Sequence, residues 1–449
     1  MASIASSLQH IKDNPLEFLD RELIERVCRE CNYTWRDREL DPATTIALFM
    51  QQILRGNIPC SEVRHLAGGT FSAQAYCDAR ARLPLAVCQT LLYEVYQRFM
   101  PQTHRPEHLW FGHRTFHIDG STFSMPDTPE LRKFFGLPWG PKEGCAFPVA
   151  HLLMLFSAST GLLIDTWASP LRTGDLAQTS EAHMHLEKGD ILIGDDTFSG
   201  YPHLASLMKQ GLHGLFPVHH KRIVDFKKGR PHCGEGKKAV AGMPRSRWIK
   251  SLGKEDQLVE YFQTGPKPAW MSQAEFESLP QSITVRELRR TVVRPGLGKI
   301  TIMLVTTLLD PKAYPAAELL ELRLRRWDIE TNIAHMKTTM KMDVLHCKTE
   351  QGVRKELTIF SLLYNLVRVV MLQASRRQEV PVSRISFADT YKWMRHAQPG
   401  DVLPVLIVNP YRPHRIEPRC KKRRPKQFDL MNKPREELRK LLINKRKRA

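Results

Sequence analysis

The sequence predicts an α/β fold in which a mixed sheet is layered with helices, and three observations support this. Apolar residues recur at helical spacing before about residue 105. Short apolar runs bounded by Gly, Pro and Ser follow from about residue 106 and are typical of strands. The strand-like DILIGDDTFSG is then followed by a helical stretch, YPHLASLMKQG. Strands mixed with helices indicate a sheet covered by helices.

The same patterns divide the chain into five regions. They are a helical N-terminal region (1–105), the first part of a core (106–214), an insertion (215–305), the second part of the core (306–400) and a basic C-terminal tail (401–449). The insertion holds the strand-like segments DQLVEYFQ, SITVRELRR and KITIMLVTTLL. It is far longer than an ordinary connection of about 4–6 residues. We therefore expect an inserted, β-rich subdomain.

A long helix is predicted to begin near Pro315, because proline suits the first helical position. Its apolar residues recur at spacings that form one stripe against a core: Leu322, Ile329, Ile333, Met336 and Met340. The next helix, KELTIFSLLYNLVRVVMLQAS, is apolar almost all round, so we expect it to be buried.

The chain is strongly basic, with a formal net charge of +20 and a pI near 9.7. This charge favours polyanionic partners, of which nucleic acid is the first candidate. Residues 411–449 hold sixteen Lys and Arg against four Asp and Glu, which is twelve of the twenty net charges. The tail either neutralises phosphates or is a disordered, solvated segment.

Cysteine usage and hydropathy indicate a cytoplasmic, nucleoid-associated protein. Nine cysteines lack the dense spacing of a secreted disulfide framework. Cys28 and Cys31 form a C-x-x-C without a second pair, so we expect them to face a helix interior rather than bind zinc. The first residues lack the apolar core of a signal peptide. The most apolar window, residues 145–164, is interrupted by polar residues, so no membrane span is expected.

A small basic helix is predicted in the N-terminal region at FSAQAYCDARARLP. It carries Gln74, Arg80 and Arg82. These side chains either contact DNA or form a solvated helix face, and the sequence does not separate the two readings.

Carboxylates at separate places along the chain suggest a catalytic centre. Asp119 and Asp195 lie at the ends of two strand-like segments. Glu330 lies on the predicted long helix, and the spacing puts three basic residues on its face: Arg323, Arg326 and Lys337. Such a row is common on solvated helices. However, three acids from separate elements are also what a site for two divalent cations requires.

Three motifs carry a specific resemblance: HIDGSTFSMPDT, GDILIGDDTFSGY and RRWDIETNIAHMKTTMKMDVLHCKT. In this order they resemble the DDE transposases of the insertion sequence four family, whose signature is Y-(2)-R-(3)-E-(6)-K. The resemblance implies an RNase H-like core with a β-rich insertion, and metal-dependent DNA cleavage and strand transfer at the terminal inverted repeats of an insertion sequence. It also implies a homodimer in the complex with double-stranded DNA.

The resemblance also assigns roles to residues. Asp119, Asp195 and Glu330 match the three acids, so they would be catalytic and would bind two Mg²⁺, or Mn²⁺, ions. Arg326 and Lys337 match the signature's basic positions and would grip phosphates near the scissile bond.

Two residues depart from the family pattern. Arg323 stands at the Tyr position, where it lengthens the basic row, and Asp196 stands where Arg usually follows the second aspartate. The exchange at 196 removes a cation beside the acids and adds an anion. Two alternatives therefore remain: a catalytically inactive DNA-binding derivative, and a hydrolytic nuclease without strand transfer.

Overall fold

The structure is a computed structural model that describes residues 19–139, 144–234, 238, 240–294, 298–397, 401–408 and 433–446. Two sequence segments discussed above lie wholly or mostly outside these residues: the first eighteen residues and the basic stretch 411–449, of which only 433–446 is described.

Helices make up the described chain before residue 105. They are α1 (Arg21–Glu30), α2 (Pro42–Leu54), α3 (Cys60–Leu66), α4 (Ala73–Arg82) and α5 (Leu85–Thr103). Side-chain oxygens cap three of them, because Asp20, Asp41 and Ser72 accept hydrogen bonds from backbone amides of the first turn. Every residue of α2 is buried, so this helix forms the centre of the N-terminal region.

Five strands form the core sheet. They are β1 (Thr115–Ser124), β2 (Val149–Ser157), β3 (Leu163–Pro170), β4 (Ile191–Ile193) and β5 (His213–Pro217). β2 is antiparallel to β1 and β3, whereas β4 runs parallel to both β1 and β5. This order and these directions confirm the predicted RNase H-like core. Three short helices connect the strands: α6 (Pro129–Phe135), α7 (Thr179–His183) and α8 (Tyr201–Lys209).

Four further strands come from the insertion. They are β6 (Arg247–Gly253), β7 (Asp256–Phe262), β8 (Ser282–Arg294) and β9 (Gly298–Thr306), with the short helix α9 (Gln273–Glu277) between β7 and β8. β9 pairs with β5, so these strands continue the core sheet, in the order β3-β2-β1-β4-β5-β9-β8-β7-β6. The insertion therefore extends the core and shares its sheet.

The remaining helices follow the sheet. They are α10 (Ala316–Leu324), α11 (Trp327–Ala334), α12 (Glu350–Arg377), α13 (Phe387–His396) and α14 (Arg435–Arg446), with a π-helical turn at His335–Thr339 after α11. The prediction of one continuous helix from Pro315 is wrong, because α10 and α11 are separate. At the break the amides of Arg326 and Asp328 bond to carbonyls three residues back, which tightens the turn. The predicted apolar stripe is nevertheless buried along its whole length.

Both faces of the sheet are buried, and β2 illustrates this clearly. Leu152, Met154 and Phe156 belong to the apolar cluster that contains most of the apolar residues of α12, whereas Leu153 and Leu155 belong to a second cluster. This alternation is expected of a strand with helices on each side. α12 is long and apolar enough to cross a membrane, but 94% of its most apolar window is buried within the protein. It is the central core helix, as its sequence predicts.

Candidate active site

Adjacent parallel strands bring Asp119 and Asp195 to the same level of the sheet. The last pair of the β1–β4 register joins His117 to Ile193, and each aspartate lies two residues beyond its member of that pair. Asp119 is still within β1, whereas Asp195 caps a short 3₁₀ helix and accepts a hydrogen bond from the amide of Thr197 at 2.9 Å. β4 therefore ends two residues before Asp195, and the 3₁₀ helix begins directly after it.

The Asp119 carboxyl lies in a partly dry environment. Burial raises its pKa to about 6, and although the guanidinium of Arg326 opposes this shift, the negative charge of Asp195 adds to it. Burial likewise raises the pKa of Asp195. Two half-buried carboxylates whose ionisation is disfavoured by burial form a place where a cation would be stabilised.

Glu330 is joined to Asp119 through Arg326. The guanidinium donates to Oδ2 of Asp119 at 3.0 Å and to Oε1 of Glu330 at 2.7 Å. Arg326 lies at the tight turn between α10 and α11, and this turn lets its side chain reach both acids. The Glu330 side chain is 44% exposed, so its carboxylate is accessible from solvent.

Arg323, which departs from the family signature, lies among all three acids. Burial and the charge of Arg326 lower its pKa to about 10, while Asp195, Asp119 and Glu330 each act in the opposite direction. Its buried Nε has no hydrogen-bond partner among the described residues. Asp119 and Glu330 thus share Arg326, and all three acids act electrostatically on Arg323, whereas their ligand atoms do not form one of the metal-holding groups found among the described residues.

The other predicted DNA-binding residues differ in their surroundings. Lys337 donates to Ser121 Oγ at 3.2 Å, two residues beyond Asp119 on β1, and burial lowers its pKa. Arg82 is exposed at the end of α4. Arg80 instead points inward, where its guanidinium lies 3.6 Å from the ring centroid of Phe49. None of these contacts tests DNA binding, which stays a prediction for each residue.

Asp196, the second departure, faces two histidines. Its Oδ2 lies 3.3 Å from Nδ1 of His220. Ligand atoms of Asp196, His219 and His220 lie within 4.8 Å of one another, which makes them the group of three metal-ligating side chains that the described residues bring closest together. Burial opposes ionisation of Asp196, but the hydrogen bonds from His220 outweigh it and lower its pKa. The hydrogen bonds from His220 thus partly compensate the negative charge of Asp196.

One acid beside the centre was missed by the sequence reasoning. Asp175 follows β3, and its negative charge raises the pKa of both Asp119 and Asp195. The only signal in the sequence is a Gly-Asp pair after a strand, which is common in loops. The side chain that holds it, His151, is far away in the sequence on β2.

A mixed sheet of this topology, with carboxylates on two adjacent parallel strands and on a following helix, matches a known class of enzyme. The family model described as "Transposase DDE domain" matches residues 110–366. This match covers more than half of the chain and includes Asp119, Asp195 and Glu330. The chain belongs to this family of DDE transposases.

Individual relatives agree with this assignment. The chain is 25% identical to the transposase InsG of insertion sequence element IS4 from Escherichia coli (strain K12), over 92% of this chain and 94% of the relative. It is 29% identical to the putative transposase InsZ of the same organism, over 24% of this chain and 38% of the relative. Among solved structures, a piggyBac transposase synaptic complex with hairpin DNA is similar at a TM-score of 0.43 and 10% identity, covering 88% of this chain and 80% of that one.

Proposed function

We propose that this transposase cleaves DNA at the terminal inverted repeats of an insertion sequence and joins the freed 3′ ends to target DNA. Asp119, Asp195 and Glu330 would form its catalytic centre. The observation that carries the proposal is the convergence of these acids around Arg323 and Arg326. The chain's own family and a relative that matches 92% of the chain are described as transposases, which supports the same reaction.

The residues of the centre fit divalent cations. Carboxylate oxygens are the hard ligands that Mg²⁺ prefers, and Mn²⁺ accepts the same donors. Asp119 has a pKa of about 6 without a cation, so the protein alone leaves part of its negative charge uncompensated. A pair of bound ions would supply activation of the attacking hydroxyl and stabilisation of the leaving oxygen.

The protein's own side chains would position the DNA. Arg326 pairs with Asp119 and Glu330, and we propose that it releases them and turns to a phosphate once cations bind. Lys337, whose ammonium group donates a hydrogen bond to Ser121, would attract a neighbouring phosphate as a point charge. Asp119, Asp195 and Glu330 would act on the scissile phosphate only through the cations that they hold, because carboxylates and phosphates repel each other.

Double-stranded DNA would be the partner, bound by a homodimer in the DNA complex. A net charge of +20 supports attraction to the phosphate backbone. The proposal of a dimer follows from the chemistry, because two element ends must be processed together. Mass photometry of the protein with and without end DNA would measure this directly.

Incubation of the purified chain with labelled terminal inverted-repeat DNA, target plasmid and Mg²⁺ would test the proposal. We expect cleaved ends and joined products with the wild type, and bound but uncut DNA with Asp119→Ala. Cleavage without joined products would instead indicate a hydrolytic nuclease. Shifted but uncut DNA that Asp119→Ala leaves unchanged would indicate the inactive DNA-binding derivative, which the departures at Arg323 and Asp196 keep as the second candidate.

A further inference from the structure

Three side chains with metal-binding atoms meet where β4 and β5 end. The two strands are neighbours and run parallel, with Ile193 opposite Leu215 in the last pair of their register. Their carboxyl ends therefore lie at the same edge of the sheet. Asp196 begins the 3₁₀ helix that follows β4, and this helix packs against β5. His219 and His220 come shortly after the end of β5, so the two loops meet at this edge.

A tight turn places the two histidines side by side. The amide of Arg222 donates to the carbonyl oxygen of His219 at 2.8 Å, which closes the turn. The imidazole rings of His219 and His220 stack with their centroids 4.3 Å apart. Ligand atoms of Asp196 and of both histidines lie within 4.8 Å of one another. The backbone thus brings three potential ligands together before any ion binds.

The distance between Asp196 and His220 fits two ligands of one ion better than a strong hydrogen bond. Oδ2 of Asp196 lies 3.3 Å from Nδ1 of His220. A charge-assisted hydrogen bond between such groups is shorter, about 2.7–2.9 Å. Two ligands of a tetrahedral zinc ion, with bonds of about 2.0–2.1 Å, lie about 3.3–3.4 Å apart. A zinc ion between the two atoms therefore requires little movement of either side chain.

The surroundings leave the group accessible to an ion from solvent. The His219 ring accepts a hydrogen bond from the amide of Lys221 at 3.2 Å, a long contact within the turn itself. The guanidinium of Arg222 lies 3.8 Å from the ring centroid of Tyr261, so an aromatic face partly balances this neighbouring cation. The His220 side chain is 69% exposed, which leaves room for a water molecule as a fourth ligand.

The donor atoms of this group select a different ion from the one that the catalytic acids prefer. Carboxylates alone suit Mg²⁺, whereas imidazoles suit zinc and its neighbours among the transition metals. We propose that Asp196, His219 and His220 form a zinc site, with water as the fourth ligand, that joins the loop after β5 to the turn after β4. The inference goes beyond the proposed function, because none of these three ligands belongs to the proposed catalytic centre.

Zn²⁺ titration of the full chain without an affinity tag, measured by calorimetry, tests the site. Asp196→Asn, His219→Ala and His220→Ala should each weaken Zn²⁺ binding by about 10–100-fold. The matched control is His185→Ala, because His185 pairs with Asp165 at 3.2 Å but these two belong to no group of three metal ligands among the described residues. This control should bind Zn²⁺ like the wild type.

Two further measurements separate binding from folding. Co²⁺ in place of Zn²⁺ should give the strong visible absorption of a tetrahedral ion in the wild type, and His220→Ala should abolish it. Saturating Zn²⁺ should raise the melting temperature of the wild type but not that of His220→Ala. Equal melting temperatures of the two proteins in EDTA would show that the variant is folded.

The outcomes distinguish this inference from the proposed function. Unchanged Zn²⁺ binding in Asp196→Asn and His220→Ala, or a wild type that binds no Zn²⁺, would overturn the zinc site. Asp119→Ala should bind Zn²⁺ like the wild type; if it instead loses both Zn²⁺ binding and DNA cleavage, the zinc site is overturned and the proposed function stands. If the wild type binds Zn²⁺ through these ligands but cleaves no DNA, the zinc site stands and the proposed function is overturned.

Discussion

The proposed catalytic centre and the N-terminal helical region each contain an arginine that was predicted to bind DNA, and the two arginines have different surroundings. Arg326 bridges Asp119 and the partly exposed Glu330. Arg80 lies at a cavity of about 440 Å³ between the N-terminal helices and α12. There it donates to Oε1 of Gln52 at 3.0 Å and to Sγ of Cys347 at 3.0 Å.

The difference between Arg326 and Arg80 shows that charge and helical spacing identify basic side chains in a sequence but do not reveal what those side chains contact. Arg326 pairs with groups that a cation and a phosphate could replace. Arg80 connects α4 to the chain preceding α12 and packs against an aromatic ring, so its contacts hold two parts of the protein together. We therefore expect substitutions in the proposed catalytic centre to affect catalysis, and substitution of Arg80 to affect stability.

The largest effect, on DNA cleavage, is expected for substitution of Glu330, which shares Arg326 with Asp119. Glu330→Gln keeps the size of the side chain but removes its negative charge, so cation binding and transition-state stabilisation should both suffer. We expect DNA cleavage to fall by on the order of 10²–10³-fold or more, while DNA affinity changes little. Single-turnover cleavage and gel shifts measure the two effects. Retention of full cleavage activity by this variant would exclude Glu330 from the centre.

Arg80→Ala should destabilise the fold by about 2–3 kcal/mol, because it leaves buried hydrogen-bond partners unsatisfied. Denaturant unfolding measures this change, and DNA affinity of the folded fraction should be unchanged. Arg82→Ala is the matched control two residues along α4, where the side chain is exposed. It should alter stability by no more than about 0.5 kcal/mol. Equal stability of the two variants would contradict the contrast drawn here.

A smaller effect is expected at Lys337. Replacement by Ala should remove one phosphate contact, so the slope of log affinity against log salt concentration should become shallower by about 0.9. Binding isotherms at several salt concentrations measure this slope. Lys312→Ala, at an exposed position preceding α10, is the control and should leave the slope unchanged. A shift of equal size in both variants would indicate a general charge effect.

The last prediction concerns the stability of the fold at acid pH and a buried histidine pair, His183 and His203. His183 and His203 face each other with their Nε2 atoms 3.1 Å apart, and burial lowers their pKa values to about 3 and about 4. The unfolded chain binds these protons near pH 6.5, so folding stability should be lost as pH falls from about 6.5 toward 4. The melting temperature should fall less steeply in His183→Gln than in His65→Gln, an exposed control. Parallel curves would exclude the pair as the cause.

Part of the fold and site followed from the sequence for clear physical reasons. The continuous apolar run of β2 and the apolar stripe through Ile329 and Met336 are local patterns, and both are buried in the structure. The break before Arg326 was missed because the stripe continues in phase across it. The inward direction of Arg80 depends on Cys347, which is 267 residues away in the sequence. Contacts of this kind arise only when the chain is folded.

The central claim is that Asp119, Asp195 and Glu330 jointly bind divalent cations. A crystal structure of the protein soaked in Mn²⁺, with anomalous scattering measured for manganese, tests it most directly. We expect manganese beside Asp119 and Asp195, with Glu330 as a further ligand and with Arg326 released from both Asp119 and Glu330. Manganese bound only at Asp196, His219 and His220, with Arg326 still bridging Asp119 and Glu330, would contradict it.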